Sequence, residues 1–178
     1  NRFESIALAP DGGLAAMWYQ EHPGTLDPRE GVQGDLVQFD AQGKVTRVIS
    51  SVVSAQTDGP EREVRLAVDG TGNLYALSRY SFAVFKFSRE GKFISRFGSR
   101  GEPPQPDQFS LGIQTIAVDN QGRIFVADDD RVLVFTGEGR YLATFRIDGT
   151  AFGMAINDNN ELWFAEGDKV SKFALNLH

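Results

Sequence analysis

The chain holds no cysteine and two histidines, His22 and His178, among its 178 residues. That excludes thiolate nucleophiles, disulfides, cysteine-type zinc sites and iron–sulfur clusters, and leaves too few histidines for a three-histidine metal centre. Oxygen-donor metal chemistry has one candidate run, Asp128-Asp129-Asp130. Hard cations favour oxygen-rich clusters, but neighbouring carboxylates on a strand point to opposite faces and do not converge. The spaced Asp-x-Asp-x-Asp-Gly loop is also absent. The preferred reading is therefore a solvated loop with a structural Asp128, and Glu166 and Asp168 occupy the corresponding loop near the C-terminus. These residues call for no cofactor, no metal and no catalytic group. What remains are aromatic, arginine and carboxylate side chains of the kind that suit protein contacts. They are Trp18, Tyr19, His22, Asp27 and Arg29, then Arg79 and Tyr80, then Arg100 and Gln105.

An internal repeat must position these residues. Alanine recurs in Ile6-Ala7-Leu8, Leu66-Ala67-Val68, Ile116-Ala117-Val118 and Met154-Ala155-Ile156, at spacings of 60, 50 and 38 residues. Seven residues after each alanine stands Leu14, Leu74, Ile124 or Leu162, and sequences rich in Gly, Asn and Asp lie between. Those residue types tolerate the positive φ that tight hairpins demand. A second hairpin follows each first one. Its leading strand ends in Phe39, Phe87, Phe135 or Phe173, with Gly43, Gly91 and Gly139 four residues beyond the first three. Alternation in Lys92-Phe93-Ile94-Ser95-Arg96-Phe97 has the period of two that marks a half-buried strand. The last copy stops before its fourth strand, so 15 strands are expected.

No window carries apolar residues at helical spacing over three turns, and a β-sandwich would not explain identical turn chemistry at matching positions. Periods near ~40–50 residues with four strands each are those of propeller blades. The expected fold is all-β: a β-propeller of four-stranded antiparallel blades, three complete and a fourth of three strands. It is read as a single segment over 1–178, with blades at about 5–50, 64–98, 114–146 and 153–178.

The stretch from Thr115 to Asp128, TIAVDNQGRIFVAD, resembles an NHL repeat, as do Arg131-Val132-Leu133-Val134-Phe135 and Gly139 to Phe145. The connector Phe97-Gly98-Ser99-Arg100-Gly101, with Asp107-Gln108-Phe109, is similar to that family's connector. The resemblance spans essentially the whole chain and is strongest in the second and third copies. It implies an acid after the second strand and a base opening the third, stapling neighbouring strands. Asp128 with Arg131 and Glu166 with Lys169 match; the second copy loses the pattern at Ala76-Leu77 and Ala83. Propellers of this family close with about six blades, which needs roughly 250 residues. The resemblance therefore implies part of a longer propeller, with a ring completed by another chain or a small four-bladed ring as alternatives. The lack of an initiator Met and of a signal peptide predicts a processed or cut chain.

All three long insertions, Gln20 to Gly34, Ser50 to Glu63 and Gly98 to Gly112, follow the second or fourth strand of a copy. They emerge at one end of the blades, and recognition usually sits on such loops. The function expected is a non-catalytic scaffold that binds another protein, or the missing part of its own propeller, through that end. Two alternatives stay open. The resemblance includes calcium-dependent lactone hydrolases and a peptide-amide lyase, although neither set of metal ligands can be matched residue by residue. Some NHL domains bind single-stranded RNA; a net charge of −6 opposes this and argues against DNA. Arg79, Arg89, Lys92, Arg96 and Arg100 are the basic residues a patch could use. No apolar run approaches the ~18 residues of a membrane-spanning helix. Zero cysteine and an acidic balance, with pI near 4.9, favour a bacterial periplasmic or extracellular setting.

Overall fold

The computed structural model describes residues 2–21, 32–157 and 159–175. Fifteen strands form four antiparallel sheets, each a simple meander. Blade 1 comprises β1 (Arg2–Leu8), β2 (Leu14–Glu21), β3 (Val32–Phe39) and β4 (Val45–Ile49). Blade 2 comprises β5 (Val64–Val68), β6 (Leu74–Ser78), β7 (Ala83–Phe87) and β8 (Phe93–Phe97). Blade 3 comprises β9 (Ile113–Val118), β10 (Ile124–Asp128), β11 (Arg131–Phe135) and β12 (Tyr141–Arg146). Blade 4 comprises β13 (Gly153–Ile156), β14 (Glu161–Glu166) and β15 (Lys169–Ala174). The fold is that of a β-propeller, and the chain divides into two compact units, Asn1–Arg96 and Phe97–His178.

Seven hairpin turns share one hydrogen-bonding pattern. In each, a residue at the fourth position donates its N–H to the carbonyl of the first, as Gly43 does to Asp40, Gly122 to Asp119 and Asn160 to Asn157. The fourth position has positive φ, which Gly supplies six times and Asn160 once, at 60°. In six turns the first side chain is a short polar one that accepts from backbone N–H groups within the turn; Asp40 accepts from Gln42 and Lys44, and Thr136 from Glu138 and Arg140. Asp69 is the most heavily engaged of these residues. Burial, the largest influence on its carboxyl, would raise the pKa, but hydrogen bonds from Thr71 and Asn73 together hold it below the ordinary value.

In the first unit the core lies between blades 1 and 2. Ala15, Met17, Tyr19 and Leu36 of blade 1 meet Leu66, Leu74, Ala76, Phe85 and Phe87 of blade 2, with Val52 and Val53 of the connector closing one end. In the second unit Phe125, Ala127, Val132 and Val134 of blade 3 pack on Leu162 and Phe164 of blade 4. An aromatic cluster sits on the other face of blade 3, where Phe135 touches Phe97, Phe109 and Tyr141 at centroid distances of 5.3, 5.9 and 6.0 Å.

Gly139 is fixed by that cluster as well as by its φ of +86°. A Cβ there would stand 2.3–2.5 Å from Phe97 side-chain atoms. Gly139→Ala is therefore expected to cost about 2 kcal/mol or more, read as a lower urea midpoint for the second unit. Gly43→Ala tests the φ contribution alone, because nothing lies within 4 Å of its Cβ position.

Candidate binding surface

At the end opposite those turns each blade holds a buried carboxylate, which in blades 1 to 3 ties the strands to a connector segment. In blade 3, Asp128 is fully buried at the end of β10. It accepts from the Ser110 hydroxyl, from the Ser110 N–H at 2.9 Å, and from Arg131 Nε and Nη2 at 3.1 and 2.6 Å. Arg131 also donates to the Gln108 carbonyl at 2.7 Å, so one guanidinium locks the connector to the strand pair. In blade 4, Glu166 takes the same place. Ser171 donates to it at 2.6 Å, Lys169 lies at 3.4 Å, and its second oxygen, Oε1, is buried without a partner. In blade 1 the carboxylate is Asp35 on β3, which accepts from Gln20 at 3.1 Å and the Ser51 N–H at 3.0 Å.

Blade 2 lacks the strand-end acid and base, as expected, but the position that loses the acid is one residue further on. Register places Ser78 opposite Ala83 as Asp128 stands opposite Arg131 and Glu166 opposite Lys169. The residue equivalent to Asp128 is thus Ser78, one position beyond Leu77. Its carboxylate partner comes from the connector: Glu61, 4% exposed, accepts from the hydroxyls of both Ser78 and Ser81. Ser54 holds this glutamate by accepting its backbone N–H at 2.9 Å. Acid and hydroxyl have exchanged places relative to blade 3, where connector Ser110 meets strand Asp128.

Beside Glu61 lies a cleft of about 400 Å³, lined among others by Thr57, Asp58, Glu61, Tyr80, Ser81 and Arg96. Tyr80 is 56% exposed at its rim. The Arg96 guanidinium sits over the Phe85 ring at 5.3 Å and donates to the Ser81 carbonyl. Arg79 pairs with Glu63 at 2.7 Å nearby. A stacked arginine, a tyrosine and two acids, Asp58 and Glu61, give this cleft the composition of a protein contact. A second cavity, about 270 Å³, opens at the hairpin-turn end between blades 1 and 2; Arg47, Arg89, Gln38 and Thr46 ring an apolar floor of Leu14 and Leu74.

The residues singled out by sequence are dispersed. Tyr80 lines the blade 2 cleft, whereas its chain neighbour Arg79 does not and pairs with Glu63. Trp18 is half-buried on β2, its ring 6.4 Å from Phe3. Tyr19, expected at the root of a binding loop, is instead a core residue, 1% exposed, whose hydroxyl accepts the Val64 N–H at 3.1 Å. Alternation from Ala15 through Met17 puts it on the face turned to blade 2. His22, Asp27 and Arg29 lie outside the described residues, as does His178. In the second unit Arg100 pairs with Glu102, and Gln105 is exposed. Among the described residues the basic side chains form no continuous patch, since Arg79, Arg89 and Arg100 each face an acid. The three aspartates do not gather at one point: Asp128 turns to Arg131 and Asp130 to Arg146, while exposed Asp129 shares the Ser110 hydroxyl with Asp128.

Burial, its largest influence, pushes the Tyr19 hydroxyl up to about 12. Its folded value lies above the ordinary 10.0, so its contribution to stability is complete below pH 10 and is lost as pH rises toward 12. Tyr19→Phe is expected to remove that alkaline slope. It should also cost about 1–3 kcal/mol at neutral pH by stranding the Val64 N–H; denaturant unfolding at pH 7 and pH 11 reads both effects.

Blades of this construction define the chain as a β-propeller protein. No known family's sequence profile matches it, and no curated protein is a detectable sequence relative. Solved structures do match. A gluconolactonase from Xanthomonas campestris superimposes with TM-score 0.62 at 16% identity over 94% of this chain and 55% of its own. A streptogramin B lyase gives 0.61 at 16%, over 98% and 55%. The WD40 repeats of RRP9 give 0.63 at 12%, over 93% and 45%. The chain spans about half the length of these propellers, and at such identities the likeness is one of fold.

Proposed function

We propose that this chain is a non-catalytic binding module of an NHL-type propeller that engages a protein partner through the connector end of its blades. The carrying observation is the blade 2 cleft, where exposed Tyr80 and the stacked Arg96 flank a rigid acid–hydroxyl knot. Tyrosine and arginine beside a fixed scaffold are the residues that anchor protein contacts. Both Glu61 oxygens are occupied by serine hydroxyls, so the carboxylate is committed to holding the connector.

A photocrosslinking residue in place of Tyr80, in the source cell, tests this. A single dominant protein adduct is expected, and Tyr80→Ala should weaken binding of that protein at least tenfold while leaving the melting profile unchanged. Shortening the segment between Gln20 and Gly34 should do likewise if the first insertion contributes. No adduct at position 80, or binding unaffected by Tyr80→Ala, overturns the assignment. The fold shared with a gluconolactonase and a lyase supports a second reading, a propeller hydrolase or lyase. Stoichiometric calcium or zinc in the purified protein would favour it.

A further inference from the structure

Register aligns Ala7, Ala15, Gln38 and Arg47 in one row across the four strands of blade 1. The same row is Ala67, Tyr75 and Lys86 in blade 2, Ala117, Phe125, Val134 and Ala143 in blade 3, and Ala155, Trp163 and Lys172 in blade 4. The position on the second strand thus carries an aromatic ring in blades 2, 3 and 4 and only a methyl group in blade 1. Within the second unit, Phe125 uses its ring to pack with Leu162 of blade 4. In the first unit the same two positions are Ala15 and Leu74, both in the core between blades 1 and 2. A buried side chain shorter by a ring leaves space that its surroundings only partly take up. The cavity of about 270 Å³ at the hairpin-turn end opens there, lined by Ala15 and Leu74.

The rest of the row changes with it. Blade 3 continues with Val134 and Ala143, whereas blade 1 continues with Gln38 and Arg47, both of which line the cavity. The other charged groups at the rim are engaged within the chain. Arg89 pairs with Asp11 at 2.5 Å, and Glu90 accepts from the Ser88 hydroxyl at 2.8 Å. Arg47 is exposed and makes no hydrogen bond or ion pair among the described residues. Where the chain supplies the ring, a cation stands over it: Lys86 over Tyr75 at 5.4 Å, Arg123 over Phe125 at 5.9 Å and Lys172 over Trp163 at 5.3 Å. An apolar lining with a few polar groups to fix orientation is the composition of a small-molecule site, and a cation beside a ring adds attraction.

We propose that this cavity binds a small planar aromatic carboxylate. Its ring lies against Ala15 and Leu74, at the repeat position that Phe125 fills in blade 3, and its carboxylate is turned to Arg47. A guanidinium offers two parallel N–H donors that match the two oxygens of a carboxylate. Every residue lining the cavity belongs to the first unit. The inference does not depend on the cleft in blade 2, which lies at the other end of the blades.

Isothermal titration calorimetry with indole-3-carboxylate, and with indole as the same ring without the acid, tests it. One molecule of indole-3-carboxylate is expected per chain, with indole at least tenfold weaker. Ala15→Phe restores the blade 3 side chain and should abolish binding with an unchanged circular dichroism spectrum. Arg47→Gln alters an exposed side chain and should weaken binding of the carboxylate at least tenfold, to the level of indole. Tyr80→Ala should leave both affinities as they are. No binding to the wild type overturns the proposal, as does binding that survives in folded Ala15→Phe. Indole bound as tightly as its carboxylate, or a carboxylate indifferent to Arg47→Gln, overturns the role given to Arg47 and with it the ligand class. Should Ala15→Phe fail to fold, Arg47→Gln carries the decision alone.

Discussion

Asp128→Ala is expected to destabilise the second unit by about 3–5 kcal/mol, as removal of one partner from a buried ion pair does elsewhere. Asp128 is fully buried and its partner Arg131 is 15% exposed at the side chain. Truncation would leave that guanidinium, the Ser110 N–H and the Ser110 hydroxyl without their common acceptor. The two tryptophans make the measurement direct: Trp18 lies in the first unit and Trp163 in the second. In a Trp18→Phe background, urea unfolding followed by fluorescence reports the second unit. Adding Arg131→Met should recover part of the loss, because an apolar side chain no longer needs an acceptor. A cost below about 1 kcal/mol for Asp128→Ala would mean that this pair behaves like a solvent-screened surface bridge.

The exchanged roles in blade 2 lead to the second large effect. Ser78→Asp sets a carboxylate against buried Glu61 and should cost about 3 kcal/mol or more, since two adjacent charges cannot both stay ionised there. Glu61→Ser strands the hydroxyls of Ser78 and Ser81 and should cost about 2–4 kcal/mol. Combined, the two substitutions restore one acid and one hydroxyl, a connector serine facing a strand-end aspartate as in blade 3 but without the base that Arg131 supplies there. The double variant should therefore be more stable than the sum of the singles by about 1–3 kcal/mol. Trp18 fluorescence in a Trp163→Phe background reads all three. Strict additivity would show that the acid and the hydroxyl are not equivalent halves of one knot.

The turns were legible in the sequence because each carries its whole explanation within five residues. Asp40, Asp69, Asp119 or Asn157 opens the turn, and a Gly or Asn closes it at positive φ. The four-strand period followed from counting those turns. The knots were only half legible. Asp128–Arg131 and Glu166–Lys169 are local and of opposite charge. Glu61 and Ser78 lie 17 residues apart and share no residue type with their counterparts. Placing the lost pattern at Ala76-Leu77 also fell one residue short, since Leu74 stands where Ile124 stands and Ser78 therefore where Asp128 stands. Tyr19 was misplaced because a tyrosine beside an insertion suits a contact surface, yet its alternation with Ala15 and Met17 already assigned it inward.

The two ends of blades 2 and 3 differ in how far along the chain their bonds reach. At one end the bonds close over four residues, a span that forms on the microsecond scale. At the other, in blades 2 and 3, Glu61 must find Ser78 and Ser110 must find Asp128. During synthesis the hairpins can therefore form one after another as the polypeptide emerges. In these two blades the connector residue is made before the strand that captures it, so the growing chain presents the anchor first; in blade 1 the order is reversed, Asp35 preceding Ser51.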